Sequence, residues 1–286
     1  KEGSIMRVLI FILFAALATA AAADEASDRD YALRMAEAHA SDKAVSNEAS
    51  KTRPARAVTG KAVAYASING KAVEGYLAHP ADQEGPLPAI IVIQEWWGLN
   101  DNIRAMADRF AGEGYAALAV DLYNGQVATD SQGARTLMRE AMANPDTVED
   151  NLRQAYAYLS DTLAAPSVGT VGWCFGGGWS LGTALMFPDQ IDATVIYYGR
   201  LVTDPEQLEP LQMPILGLFG AEDQGIPVES VREFENALNE LGKDATIVVY
   251  DGANHAFANP TGTRYNAEAA ADAWEKTTAF FAKNLH

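Results

Sequence analysis

The sole cysteine of the chain stands in Gly172-Trp173-Cys174-Phe175-Gly176-Gly177, directly after the apolar run Val168-Gly169-Thr170-Val171. A strand that ends in Gly-x-nucleophile-x-Gly and turns straight into a helix lifts the central side chain above the sheet in a strained conformation. Its neighbours must be small, because strand and helix backbones approach closely there. Gly172, Gly176 and Gly177 meet that requirement. The chemistry on offer is nucleophilic attack by a thiol. The same six residues also suit a cysteine simply packed in a tight turn, so other residues have to decide.

A thiol of ordinary pKa, about 8.5, is little ionised at neutral pH and needs a base beside it. In chain order an acid and then a histidine are expected after the nucleophile. Met213-Pro214-Ile215-Leu216-Gly217-Leu218-Phe219 reads as a buried strand and runs into Gly220-Ala221-Glu222-Asp223-Gln224. Carboxylates therefore sit at a strand's carboxyl end, where open sheets place their ligands. Residues 245–250 form the next strand, which leads into Asp251-Gly252-Ala253-Asn254-His255-Ala256-Phe257. Of four histidines, His39 lies in a polar leader, His79 precedes the main sheet and His286 ends the chain. His255 alone fills the slot. Asp223 is the expected acid, with Glu222 and, more weakly, Asp251 as competitors. Singly, each has a plain structural role as a turn or surface residue. Together they read as a Cys174–His255–Asp223 triad: His255 activates the thiol, Asp223 orients the imidazole, and the Phe175 N–H serves as an oxyanion donor.

At this point the chain resembles the dienelactone hydrolases. The likeness is carried by Gln94-Glu95-Trp96-Trp97-Gly98-Leu99-Asn100, Asp121-Leu122-Tyr123, the cysteine motif, and Gly252-Ala253-Asn254-His255-Ala256-Phe257. Tyr197-Tyr198-Gly199 is similar to the family's tyrosine pair, and the resemblance runs from about residue 57 to the C-terminus. It implies an α/β-hydrolase fold and hydrolysis of a carboxylic ester or lactone through a thioester. It also implies that Trp96 N–H is the second oxyanion donor and that Glu95 contacts the resting thiol, keeping it protonated until substrate binds. The family's two carboxylate-binding arginines fall on Gly125 and Asn259, neither of which pairs with a carboxylate as a guanidinium does. Arg104 and Arg200 are cations that could reach the site, although solvent-facing or packing roles are the expectation for both. Tyr123, Trp97, Tyr198 and Phe257 are expected to bind substrate in an apolar pocket suited to small neutral or aryl esters. The competing readings are a non-catalytic binding or scaffold member of the fold and a thiol hydrolase acting on thioesters or peptides.

These residues need a frame. Residues 57–67 and 71–78 alternate around Asn69-Gly70, the pattern of a hairpin. Strands are then expected at 89–94, 115–120 and 193–198, besides those already named. They alternate with helices at 103–111, 134–143, 147–160, 179–186, 228–241 and 267–284. That order predicts a mostly parallel central sheet flanked by helices on both faces, as one domain over 57–286. Residues 24–56 are polar and read as a short helix, about 30–39, plus a linker. This arm would either pack on the domain or mediate association. Within 1–23, Met6-Arg7, a short apolar core and Ala21-Ala22-Ala23 read as a signal peptide. A periplasmic or secreted protein follows, with no stable membrane anchor after cleavage.

With 38 acidic and 21 basic residues the formal net charge is −17. Such a surface disfavours nucleic acid and anionic membranes as partners. The glycines around Cys174 lack the lysine of a phosphate loop, and no cluster has metal-ligand spacing along the chain. No cofactor and no metal are expected. The expected partner is a small-molecule ester or lactone.

Overall fold

A computed structural model describes residues 31, 33–35, 37–40, 42, 51–83 and 85–285. The signal peptide expected over 1–23 lies outside the described residues. The strands are β1 (Val58–Ile68), β2 (Lys71–Pro80), β3 (Ala89–Ile93), β4 (Ala116–Ala119), β5 (Val168–Trp173), β6 (Ala193–Tyr197), β7 (Ile215–Gly220) and β8 (Ala245–Tyr250). They form one sheet in the order β1-β2-β4-β3-β5-β6-β7-β8. β1 and β2 are an antiparallel hairpin, β2 meets β4 antiparallel, and every pairing from β4 through β8 is parallel. Asn69 and Gly70 have φ of 52° and 75°, the left-handed pair that a two-residue hairpin turn requires.

The helices are α1 (Asp101–Glu113), α2 (Ser131–Met142), α3 (Pro145–Ala157), α4 (Phe175–Met186), α5 (Pro205–Leu208), α6 (Val228–Glu240) and α7 (Ala267–Asn284). Every residue of β3, β5, β6 and β7 is buried, because helices cover both faces of the sheet. Register along β5 shows which helix covers which face. Thr170 Oγ1 lies 2.9 Å from Ser180 Oγ on α4, whereas a Cβ on Gly169 would come within 2.8 Å of Phe281 on α7. Consecutive strand residues point to opposite faces, so α4 and α7 lie on opposite sides. α1 shares the α7 side, with Phe110 packed on Trp274 and Phe281 at ring distances of 4.8 and 5.8 Å.

The α/β-hydrolase architecture matches the expectation, with three local differences. α4 begins at Phe175, four residues earlier than expected, directly after the cysteine. α3 begins at Pro145 and ends in a π-helical turn, Tyr158–Thr162. α5 was not anticipated, since four residues are too few to show a period. It is set by Asp204, whose carboxylate accepts from Glu206 N at 3.0 Å, and by Pro205 in the first turn.

The arm packs on the domain. Tyr31, Leu33, Arg34, Met35, Glu37 and Ala38 are helical, and His39 N donates to Met35 O at 3.0 Å. Tyr31, Met35 and His39 are buried. Their spacing of four places all three on one helical face.

Candidate active site

Cys174 joins β5 to α4 at φ 56°, ψ −118°. A non-glycine residue holds this backbone only where its surroundings enforce it, and three glycines provide the room. A Cβ on Gly172 would lie 2.0 Å from Gly176 O; one on Gly176, 2.4 Å from Gln94 O; one on Gly177, 2.5 Å from Tyr197 O. The helix start is thus wedged between the loop after β3 and the end of β6. The Phe175 N–H, at the first position of α4, has no acceptor within its own helix. Trp96 is buried two residues beyond Gln94, so the segment carrying its N–H passes over the elbow.

The acid and the histidine come from adjoining loops. Ala221 N donates to Tyr250 O and Glu222 N to Ala253 O, both at 2.9 Å, and a Cβ on Gly220 would sit 2.4 Å from Ala253 O. His255 Nδ1 and Asp223 Oδ2 are 2.7 Å apart, and Asp223 Oδ1 accepts from Gly225 N and Ile226 N at 2.8 and 2.9 Å. Glu222 and Asp251 are exposed; neither competes for the imidazole. Burial opposes ionisation of Asp223, but His255 and the two N–H donors hold its pKa below the usual value. Burial likewise disfavours the imidazolium of His255, yet Asp223 and Cys174 outweigh it and lift its pKa to about 10. His255 Nε2 is buried without a hydrogen-bond partner.

Glu95 is buried, and its Oε2 accepts from Asn259 Nδ2 at 2.6 Å. Asn259 is itself oriented: its Oδ1 accepts from Thr261 N and Thr261 Oγ1 at 2.8 and 2.7 Å. The residue at an expected arginine position is therefore engaged with the site's own carboxyl group. Burial raises Glu95 to about 7, against the opposing pull of His255 and Asn259. At the other arginine position, Gly125 N donates to the Asp121 carboxylate, which also accepts from Tyr123 N at 2.9 Å. Asp121 thus shapes the Asp-Leu-Tyr turn.

A cavity of about 370 Å³ opens over Cys174, walled by Glu95, Trp96, Trp97, Asn259 and His39 among others. That size suits a small ligand. Of the four residues expected to bind substrate, Trp97 lines it. Tyr123, Tyr198 and Phe257 do not. Tyr198 is fully buried behind His255, at a ring distance of 5.1 Å, and packs on Phe257 at 5.2 Å. Tyr123 packs on Phe175 at 5.7 Å. Their aromatic area supports the segments that carry Cys174 and His255. Arg104 pairs with Asp101 at 3.6 Å, and Arg200 sits 5.8 Å over the ring of Tyr31; neither lines this cavity.

Residues 73–285 match the dienelactone hydrolase family. The chain belongs to that family. It is 32% identical over 249 residues to a "Putative carboxymethylenebutenolidase" of Saccharolobus solfataricus, covering 74% of this chain and 94% of the relative. It is 35% identical over 224 residues to "Protein usf" of Aquifex pyrophilus, covering 76% and 96%. A crystal structure described as a "Putative Dienelactone Hydrolase" from Klebsiella pneumoniae superposes with a TM-score of 0.72 at 31% identity, covering 80% of this chain and all of that one. The protein is accordingly a hydrolase of the dienelactone hydrolase family, with a buried cysteine, histidine and aspartate grouped at its centre.

One part of the site lies outside the family match. The arm brings in a second histidine. His39 is buried, with its ring 4.6 Å from that of His255 in an edge-on arrangement and 4.8 Å from that of Trp96. Its Nδ1 pairs with the Asp42 carboxylate, which also pairs with Arg264. Arg264 donates further to Ala38 O at 2.8 Å and fastens the end of the arm. His39 Nε2 is buried without a hydrogen-bond partner, like that of His255. Burial pushes His39 down to about 4, despite Asp42. A ring nitrogen of His39, Cys174 Sγ and a ring nitrogen of His255 lie within 4.8 Å of one another. Along the chain His39 stands in a polar leader and no cluster has metal-ligand spacing; folding brings positions 39, 174 and 255 together.

Proposed function

We propose that the chain hydrolyses small neutral or aryl carboxylic esters through Cys174, His255 and Asp223, by way of a thioester acyl-enzyme. The observation that supports this reading is the 2.7 Å His255–Asp223 hydrogen bond beside a thiol held on a strained elbow. The imidazole, oriented by Asp223 and close to the thiol, is placed to take its proton. Cys174 Sγ attacks the ester carbonyl carbon, and an electron pair moves onto the carbonyl oxygen. The N–H groups of Phe175 and Trp96 receive that oxyanion; loss of one such donor costs about 3 kcal/mol. Collapse of the adduct expels the alkoxide, which takes the imidazolium proton and leaves a thioester. His255 Nε2 then draws a proton from water as its oxygen adds to the thioester carbonyl. The second adduct collapses by cleavage of its C–S bond, the carboxylic acid departs, and the released Cys174 thiolate recovers the proton held on His255. Glu95, titrating near neutrality on the same wall, repels the thiolate when ionised and so restrains the resting nucleophile.

The preference for neutral substrates follows from how the polar groups are engaged. Asn259 is committed to Glu95, and Arg264, the arginine on the wall, is committed to Asp42 and Ala38. Trp96 and Trp97 supply apolar surface. Short aryl esters are expected to turn over faster than anionic lactones; a kinetic panel with the opposite order overturns the substrate assignment. Cys174→Ala should abolish turnover, and Asp223→Asn should lower kcat by about 10⁴ through loss of the correct tautomer. Undiminished hydrolysis by Cys174→Ala would refute the mechanism. From the basic, apolar and alanine-rich succession in 1–23 we further infer export, for which mass spectrometry of the mature N-terminus at Asp24 is the check.

A further inference from the structure

We infer that His39, Cys174 and His255 form a binding site for one zinc-class divalent cation, held by two imidazole Nε2 atoms and one thiolate, which silences the nucleophile until the metal is withdrawn. Three buried donor atoms within 4.8 Å of one another carry the proposal, and small ring movements bring them to the roughly 3.5 Å spacing of a tetrahedral ion. In both rings Nδ1 is engaged by a carboxylate, Asp42 for His39 and Asp223 for His255, while Nε2 is buried and unpartnered. A carboxylate behind each ligating imidazole is the outer-shell arrangement that fixes its tautomer and raises its basicity toward a metal. Two nitrogens and one sulfur select zinc or a soft transition metal over magnesium or calcium. The cavity is lined by both His39 and Cys174, so a bound ion would be reached from solvent.

The three donors lie far apart in sequence, at positions 39, 174 and 255. The family match begins at residue 73, so His39 and Asp42 lie outside the matched span. The arm is also fixed at the point that matters. Met35 packs against Gly225, where a Cβ would lie 2.5 Å from its Sδ, and Arg264 ties Ala38 and Asp42 to the domain. His39 is thereby held over the thiol, with Trp96 closing one flank. Binding converts the Cys174 thiol to a metal thiolate and releases its proton to solvent. The coordinated sulfur shares an electron pair with the cation and is a weaker nucleophile than the free thiolate. The silencing, though not the binding, rests on the hydrolase reading above.

Metal-free full-length protein, prepared with a chelator, tests both parts. Titration with Co²⁺ should show one equivalent bound, with a thiolate-to-cobalt charge-transfer band and the absorption intensity of a tetrahedral ion. Zn²⁺ should displace it. Cys174→Ser should abolish the charge-transfer band. Asp42→Asn should weaken Zn²⁺ binding by roughly 10- to 100-fold, and His39→Gln by more, read by competition with a chromogenic chelator. Circular dichroism verifies that the variants fold, and slowed iodoacetamide labelling of Cys174 in Zn²⁺-loaded wild type gives a readout that needs no variant. Aryl-ester turnover should fall in proportion to bound Zn²⁺ and return on chelation. The site is overturned by binding that His39→Gln leaves unchanged, or by the absence of stoichiometric Zn²⁺ binding and of labelling protection. Protein that binds Co²⁺ through Cys174 yet hydrolyses no ester when metal-free would keep the site and remove the hydrolase reading.

Discussion

Holding Cys174 at a φ of 56° costs the fold on the order of 1–3 kcal/mol, and the result is a sulfur clear of its own helix. Glu95 is the other residue that works against stability, and its effect depends on pH. Its ordinary value of 4.5 is raised to about 7 by burial. The folded state therefore holds this proton more tightly than the unfolded one. The associated stability is present in full below about 4.5 and is lost as pH climbs through about 7, amounting to about 3 kcal/mol. Glu95→Gln, which keeps the shape and cannot ionise, should match wild type in urea at pH 5 and exceed it at pH 8. Equal midpoints at pH 8 would mean that the wild-type carboxylate is solvated. Cys174, Asp223 and His255 were legible in the sequence because each stands at the end of a readable strand, in the order the chemistry needs. The Glu95–Asn259 bond was not, since it joins residues 164 apart and nothing local in either one points to the other.

At the scale of elements, the apolar runs of β3, β5, β6 and β7 made the sheet readable, and the short loops between strands and helices fixed its parallel sense. What the pattern did not show was the start of α4, because glycines obscure a helical period. The close packing at that junction makes a sharp prediction. A Cβ at Gly176 would meet Gln94 O at 2.4 Å and Ile93 O at 2.5 Å, both backbone atoms that cannot rotate away. Gly176→Ala should lose roughly 1–3 kcal/mol or more in urea unfolding and displace the loop that carries Trp96, lowering kcat. Gly178→Ala is the control. There the nearest contact is Arg200 Cβ at 3.3 Å, and a small change in stability is expected. If the two substitutions behave alike, close approach is not what those glycines provide.

For the whole molecule, the net charge of −17 sets a long-range repulsion toward anionic ligands, in line with the preference argued for neutral esters. The arm is the larger-scale feature that sequence reasoning left open. Three positions, Tyr31, Met35 and His39, are too few to distinguish a docking face from chance, and the surface that receives them is assembled only on folding. Arg264→Ala removes the contacts to Ala38 and Asp42. It should speed alkylation of Cys174 by iodoacetamide several-fold in metal-free protein, because the arm no longer covers the thiol. An unchanged rate would mean that Met35 and Tyr31 hold the arm by themselves.

The arm's three anchors sit one above another along a helix, so delivery of His39 depends on angular phase as well as on length. One residue inserted after Met35 would swing the imidazole about 100° around the helix axis and away from the sulfur, with composition and charge almost untouched. Four residues inserted at the same point would add about 400°, returning the ring to nearly its original angle one turn further on. Comparing the two insertions separates a rotationally indexed device from a loosely attached tail.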